Sequence, residues 1–174
     1  MSKEKPIYPA STVLLLRDRG HGLEVFMVVR HHQIDAFSGA LVFPGGKVDP
    51  EDSEAREICR TVAAMDEAAL AFQVAAIREA FEECGVLLAR PAGTDALVDA
   101  ARLAELEGKY RQALVKDELG IPELCRREDL ELATDLLVPF AHWITPPAAP
   151  KRFDTHFYLA PAPADQAALH DGEE

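Results

Sequence analysis

Three carboxylates within five residues, Glu79, Glu82 and Glu83, are the side chains of this 174-residue sequence best suited to chemistry. The segment that carries them, from about Ala68 to Cys84, has helical composition and stops at Gly85, where a left-handed C-cap is expected. At about 100° per residue, Val74, Ile77, Phe81 and Cys84 fall on one stripe and the glutamates on the opposite side. Like charges at three- and four-residue spacing cost a helix about 0.2–0.5 kcal/mol per pair. The macrodipole also disfavours anions near a helix C-terminus. A cluster of hard oxygen donors that works against its own helix suits Mg²⁺ or Mn²⁺ rather than zinc. The competing reading is a solvated acidic face, partly compensated by Arg78 and other cations.

Two further segments bear on that choice. Arg78 to Val86 reads R-E-A-F-E-E-C-G-V, and upstream lies Phe43-Pro44-Gly45-Gly46-Lys47-Val48. Together they resemble the Nudix signature, a glycine loop followed by R-E-U-x-E-E-x-G-U with U apolar. Counted from Gly46, the first acidic position of the signature holds Asp52 instead of glutamate. The arginine due at position 60 arrives at Arg78, an insertion of 18 residues at about 53–70. Ile77 to Leu88, Trp143 to Pro146 (W-I-T-P) and Arg152 to Thr155 (R-F-D-T) are similar to the coenzyme A diphosphatase branch of the family. The resemblance runs from about Ser11 to Ala160.

The resemblance implies a Nudix-type α/β/α sandwich with a mixed sheet and cleavage of a diphosphate bond in a nucleotide-linked small molecule, with Mg²⁺ or Mn²⁺ as cofactor. Coenzyme A or its acyl esters are the favoured substrates. It implies that Glu79, Glu82 and Glu83 bind metal, with the Gly45 carbonyl as an extra ligand, and that Glu79 acts as base or orients the water. Arg78 is expected to orient the glutamates through a salt bridge, with Asp52 standing in for the signature glutamate. Gly46 allows close approach of the loop backbone to metal and phosphate. Arg30 and Lys47 are candidate phosphate contacts, each with the alternative of an ordinary surface charge. Asp35 occupies the position where coenzyme A-cleaving members often carry a second arginine. Trp143 reads as core or as a stacking platform, and Arg152 and Asp154 as structural. His31, His32 and His156 are poor ligands for a hard metal and read as ordinary polar residues. A non-catalytic Nudix-fold nucleotide sensor is the alternative function, and a scaffold with an acidic helix a third.

The elements that must position these residues form an α+β pattern. Ala10–Arg17 and Leu23–Arg30 are expected to pair as a hairpin across the turn Asp18–Gly22, and Ala40–Phe43 leads into the glycine loop. Pro50–Asp66 reads as loop with some helix, and Val86–Ala89 as a strand or a packing surface. A helical insertion is expected at about 94–130, then strands at Leu136–Thr145 and Arg152–Ala160. A single domain spans 1–174. Nudix proteins of this kind continue past R-F-D-T into another strand and a helix, so the fold is expected to lack those two elements, with Glu173 and Glu174 at the end.

Composition sets the outer limits. Hydrophobic residues make up 48% and charged residues 28%, which excludes a disordered chain. No run approaches the roughly 20 apolar residues of a membrane span, and Met1–Pro9 lacks the apolar core of a signal peptide. Cys59, Cys84 and Cys125 are unpaired in spacing, which points to a reducing cytoplasm. A net charge of −12 disfavours nucleic acid as a partner. It leaves room for a small anion, because a bound cation reverses the local field. A homodimer is compatible with the sequence.

Overall fold

The computed structural model describes residues 5–29, 39–60 and 65–166. Arg30, His31, His32, Asp35, Glu173 and Glu174 lie outside those residues.

A mixed sheet is organised around β1 (Ile7–Asp18), whose V-L-L-L run alternates in burial along its length. Val13 and Leu15 point into the core, while Thr12, Leu14 and Leu16 on the other face are half-buried. Along one edge β1 pairs antiparallel with β2 (Leu23–Val25) through Leu16–Asp18. The strands β3 (Val28–Val29) and β4 (Leu41–Val42) form a separate pair. β5 (Gly45–Lys47) takes the first edge of β1 at Ala10–Thr12.

The expected single strand Leu23–Arg30 is therefore divided. Phe26 N–H still donates to Leu15 O at 2.9 Å, but the rest of that edge belongs to β5, so the chain leaves it and β3 pairs elsewhere. On its other edge β1 runs parallel to β9 (Arg152–Pro161), which pairs antiparallel with β8 (Val138–Ile144).

One helix, α1 (Glu67–Cys84), lies over this sheet. Asp66 caps its first turn by accepting from Ala69 N at 2.6 Å, and Gly85 ends it at φ 67°, the left-handed stop expected from sequence. The expected stripe of Val74, Ile77, Phe81 and Cys84 is fully buried. Ala75, Ala76 and Ala80 are also buried, and a second helical layer meets α1 from outside through one of its short helices.

That layer is the expected helical insertion, in pieces. It contains α2 (Ala100–Leu106), a π-helical turn Glu107–Arg111, α3 (Gln112–Val115) and α4 (Ile121–Glu128). Glu128 ties the pieces together by accepting from Arg102 Nη2 at 2.5 Å, from Lys109 Nζ at 2.6 Å and from the Tyr110 hydroxyl. A short ladder of β6 (Ala89–Pro91) and β7 (Leu130–Leu132) closes this side. Between the glycine loop and α1 the chain first forms two 3₁₀ turns, Pro50–Glu54 and Arg56–Ile58. It then docks against β7, with Arg60 N–H donating to Leu132 O at 2.9 Å.

Candidate functional site

The carboxylates lie in the seam between α1, the glycine loop and the first 3₁₀ turn. They project from the side of α1 opposite its apolar stripe, but the glycine loop and the 3₁₀ turn cover that side, so the Glu79 and Glu82 side chains are only 12% and 14% exposed. Arg78 sits beneath them, also buried, and its guanidinium fans out to several acceptors. Nη1 donates to Glu79 Oε1 at 2.8 Å and Glu82 Oε1 at 3.3 Å. Nε and Nη2 donate to the two oxygens of Asp52, each at 3.2 Å. Nη2 also donates to the backbone oxygen of Lys47 at 2.7 Å.

Asp52 thus holds the position expected of the signature glutamate, although one methylene shorter. The 3₁₀ turn that carries it supplies the missing reach, and its other contact is with the Asp49 N–H at 2.8 Å.

The glycine loop meets these groups directly. Gly45 N–H donates to Glu83 Oε2 at 3.0 Å. A Cβ on Gly46 would stand 2.4 Å from Glu79 Oε1, so a larger residue there would push that carboxylate from its present place. Val13 N–H donates to Pro44 O at 3.0 Å and Val48 N–H to Pro9 O at 3.0 Å, which places Gly45 and Lys47 at the outward positions of the ladder. Their backbone groups therefore face away from β1. Lys47 O takes Arg78 there, and the Gly45 carbonyl points the same way. The Lys47 side chain departs on the opposite sheet face, with Nζ 5.1 Å from the Tyr8 ring centroid.

Burial and crowding leave the carboxyl groups ill at ease with full charge. Glu79 is pushed up to about 7 by burial, with Arg78 pulling it down and Glu82 adding to the rise. Glu82 is raised for the same first reason. Asp52, 1% exposed, is raised by burial against the pull of Arg78. Arg78 itself is held above its ordinary range, since Asp52, Glu79 and Glu82 outweigh the burial that disfavours its charge.

Asp49, Asp52, Glu79 and Glu82 surround this one guanidinium. Hard oxygens in excess over positive charge, under a loop with no Cβ in the way, fit a hard divalent cation.

Two contributors were not expected from sequence. Asp49 reaches Arg78 Nη2 at 3.3 Å, and the Asp-Pro pair that begins the 3₁₀ turn was a signal that could have marked it. The Lys47 carbonyl carries no side-chain signal at all. Beside Arg78 and Glu82 opens a cavity of about 250 Å³, whose far wall is Leu114, Leu119 and Ile121 from the helical insertion. Trp143 is 70% exposed on β8 and belongs neither to the core nor to this site.

Comparison with known proteins agrees with this geometry. The family model described as the NUDT19 Nudix domain matches residues 60–174. Acyl-coenzyme A diphosphatase NUDT19 of Gallus gallus is 33% identical over 109 residues, 52% of this chain and 27% of that protein. A Caenorhabditis elegans relative is 29% identical over 135 residues, 78% of this chain and 38% of its own length. The chain thus spans well under half the length of these curated relatives. The crystal structure of a NUDIX hydrolase from Alicyclobacillus acidocaldarius superposes with a TM-score of 0.68 at 29% identity, over 96% of this chain and 77% of that one. With its glycine loop lying against the glutamates of a R-E-A-F-E-E helix, and with the family model spanning 60–174, this chain belongs to the Nudix family.

Proposed function

We propose that this site hydrolyses a diphosphate bond in a nucleoside-diphosphate-linked substrate with Mg²⁺ or Mn²⁺, and that the substrate class is coenzyme A or its acyl esters. The observation that carries the reading is the Arg78 network beneath the Gly45–Gly46 loop, which gathers Glu79, Glu82 and Glu83 at one seam. The name of the Gallus gallus relative supports the coenzyme A class. Residues 1–174 are read as one Nudix domain with inserts at about 53–70 and about 94–130. Free cysteines, with the Cys59 and Cys125 thiols pushed up to about 12 by burial, fit a cytoplasmic setting.

Glu79, Glu82 and Glu83 would hold the metal, with the outward-facing Gly45 carbonyl as a further oxygen donor. When bound, the cation neutralises the diphosphate and makes a water more acidic. The chain's own residues do the rest. Arg78, fixed by Asp52 and Lys47 O, orients Glu79 and Glu82 through Nη1. Glu83 ties the loop to the helix through the Gly45 N–H. Glu79 is the group that takes a proton from the attacking water or orients it. Gly46 keeps the space over Glu79 clear, and Arg30 is assigned to substrate phosphate; Lys47, expected beside it, instead turns its side chain to the other sheet face and serves this site through its carbonyl.

The test is cleavage of coenzyme A, ADP-ribose, NADH and diadenosine polyphosphates with Mg²⁺ or Mn²⁺, beside a Glu83→Gln variant. Metal-dependent cleavage of coenzyme A, reduced at least about 100-fold in the variant, is expected. Cleavage of another member alone would overturn the substrate class, and no cleavage with either metal would overturn the hydrolase reading.

A further inference from the structure

A second group of ligating side chains lies on the same sheet, away from the glutamates. His142 on β8 is directly opposite His156 on β9, and Asp154 lies two residues before His156, on the same face. The two imidazole rings stack with centroids 4.2 Å apart at 29°. His142 Nε2 contacts Asp154 Oδ1. One ligand atom from each of the three residues falls within 4.8 Å of the others. Phe72 of α1 covers the outer face of the His156 ring, with centroids 4.1 Å apart. Among the described residues this is the group of three His, Cys, Asp or Glu side chains that converges so closely.

We propose that His142, Asp154 and His156 bind one borderline divalent transition-metal ion of the Zn²⁺ class, at a site separate from the carboxylates of α1.

Donor chemistry separates the two sites. Imidazole nitrogens suit Zn²⁺, Ni²⁺, Cu²⁺ and Co²⁺, whereas Mg²⁺ prefers oxygen and gives up its waters reluctantly. Two nitrogens and one carboxylate oxygen with an open fourth position make a recurrent zinc donor set. Tetrahedral bonds of about 2.0–2.1 Å put donors about 3.3 Å apart, so donors already within 4.8 Å need to close by at most about 1.5 Å. Rotation of half-exposed side chains supplies that, because the His142 and Asp154 side chains are 49% and 35% exposed.

Any proton shared between His142 Nε2 and Asp154 leaves to solvent as the ion takes its place. His156 is held below the ordinary imidazole range, first by burial and then by His142. The reading of His156 as an ordinary polar residue holds for a hard ion only.

Ladder register gives the spacing of the two sites. His142 pairs with His156, His156 with Ser11, and Ser11 with Gly46, which lies against Glu79. At about 4.8 Å per strand, His156 is about 10 Å and His142 about 14 Å from Gly46. The two groups are thus two to three strand spacings apart and share no ligand.

Isothermal titration with Zn²⁺ in excess Mg²⁺, and visible absorption with Co²⁺ as the probe ion, test the proposal on the full chain. One equivalent of Zn²⁺ is expected to bind, with four- or five-coordinate Co²⁺ bands. His142→Ala and His156→Ala each weaken binding by at least about 100-fold, and Asp154→Asn by about 10-fold. Glu82→Gln leaves the isotherm unchanged. Melting curves establish that each variant is folded, and His142→Gln replaces any variant that is not. The proposal is overturned by no binding at 100-fold excess of Zn²⁺ over protein. Binding that survives both histidine changes overturns it equally, placing the ion on other donors, as does binding lost in Glu82→Gln.

Discussion

Replacing Gly46 by alanine separates the site's geometry from the fold's stability. The new Cβ would stand 2.4 Å from Glu79 Oε1 and 2.6 Å from its Cδ, against about 3.4 Å for ordinary contact. The carboxylate must retreat by about 1 Å, and it is the far end of a side chain, so backbone can stay in place. The direct cost is loss of the Arg78–Glu79 hydrogen bond, about 1–2 kcal/mol.

Misplacement of a catalytic group by 1 Å is worth about 100-fold in rate, or about 2.7 kcal/mol in the barrier. A tenfold loss of Mg²⁺ affinity at 100 times Kd cuts ligand stabilisation from about 2.7 to about 1.4 kcal/mol. For a chain of this size that halves a Mg²⁺-induced rise in Tm of about 5–10 °C.

Gly45→Ala is the contrasting control. Its Cβ would meet Ser11 O at 2.4 Å and Thr12 Cα at 2.8 Å, which are backbone atoms, so the strand pair itself must move. A loss of about 3 kcal/mol is expected there. Melting curves with and without Mg²⁺, beside turnover, give both quantities. A Gly46→Ala protein with wild-type Mg²⁺ stabilisation and wild-type turnover would refute the reasoning.

Arg78→Lys keeps the charge but cannot span Asp52, Glu79, Glu82 and Lys47 O at once, so stability should fall by about 3 kcal/mol in urea unfolding, with wild-type stability as the contrary result. Arg90→Ala removes a buried, two-point contact with Asp135 at 2.5 and 2.9 Å, and about 3 kcal/mol or a fall of about 1 M or more in the urea midpoint is expected. Glu128 is held down to about 2 by Lys109, then by Tyr110 and Arg102. Its contribution is therefore complete above about pH 5 and is lost as pH falls through about 4.5 towards 2. The stability gap between wild type and Glu128→Gln should close over that window in pH-dependent melts, and a constant gap would contradict the assignment.

What the sequence revealed and concealed follows the range of each interaction. The bounds of α1 and its C-cap were legible because helix periodicity and Gly85 act within a few residues, whereas the cap from Asp66 emerged only in the structure. Counting from Gly46 put Asp52 at the first acidic position of the signature, the family resemblance implied its place beside Arg78, and the structure joins the two. The division of Leu23–Arg30 was not legible, since it depends on β5 occupying the edge of β1 from 20 or more residues away. Trp143 in an apolar run reads more readily as core, but among the described residues β8 pairs on one edge only, and Trp143 is 70% exposed. His142 and His156 meet only through the register of β8 on β9, which nothing in either segment announces.

The arrangement around Arg78 also offsets part of the negative charge gathered in the acidic seam. Burying Glu79 and Glu82 near one another is unfavourable, as the upward displacement of both carboxyl groups shows. Arg78 offsets this from below, but its bonds are unequal in kind. Asp52 and Lys47 O hold Nε and Nη2, which fixes the guanidinium to the 3₁₀ turn and the loop. Only Nη1 faces the two glutamates. A cation arriving above them would therefore compete for that one nitrogen's contacts and leave the anchor intact. Asp52, with Lys47 O, holds Arg78 independently of its bonds to Glu79 and Glu82. A buried aspartate serves here where the signature has glutamate, because the 3₁₀ turn already brings its backbone close and a longer arm is unnecessary.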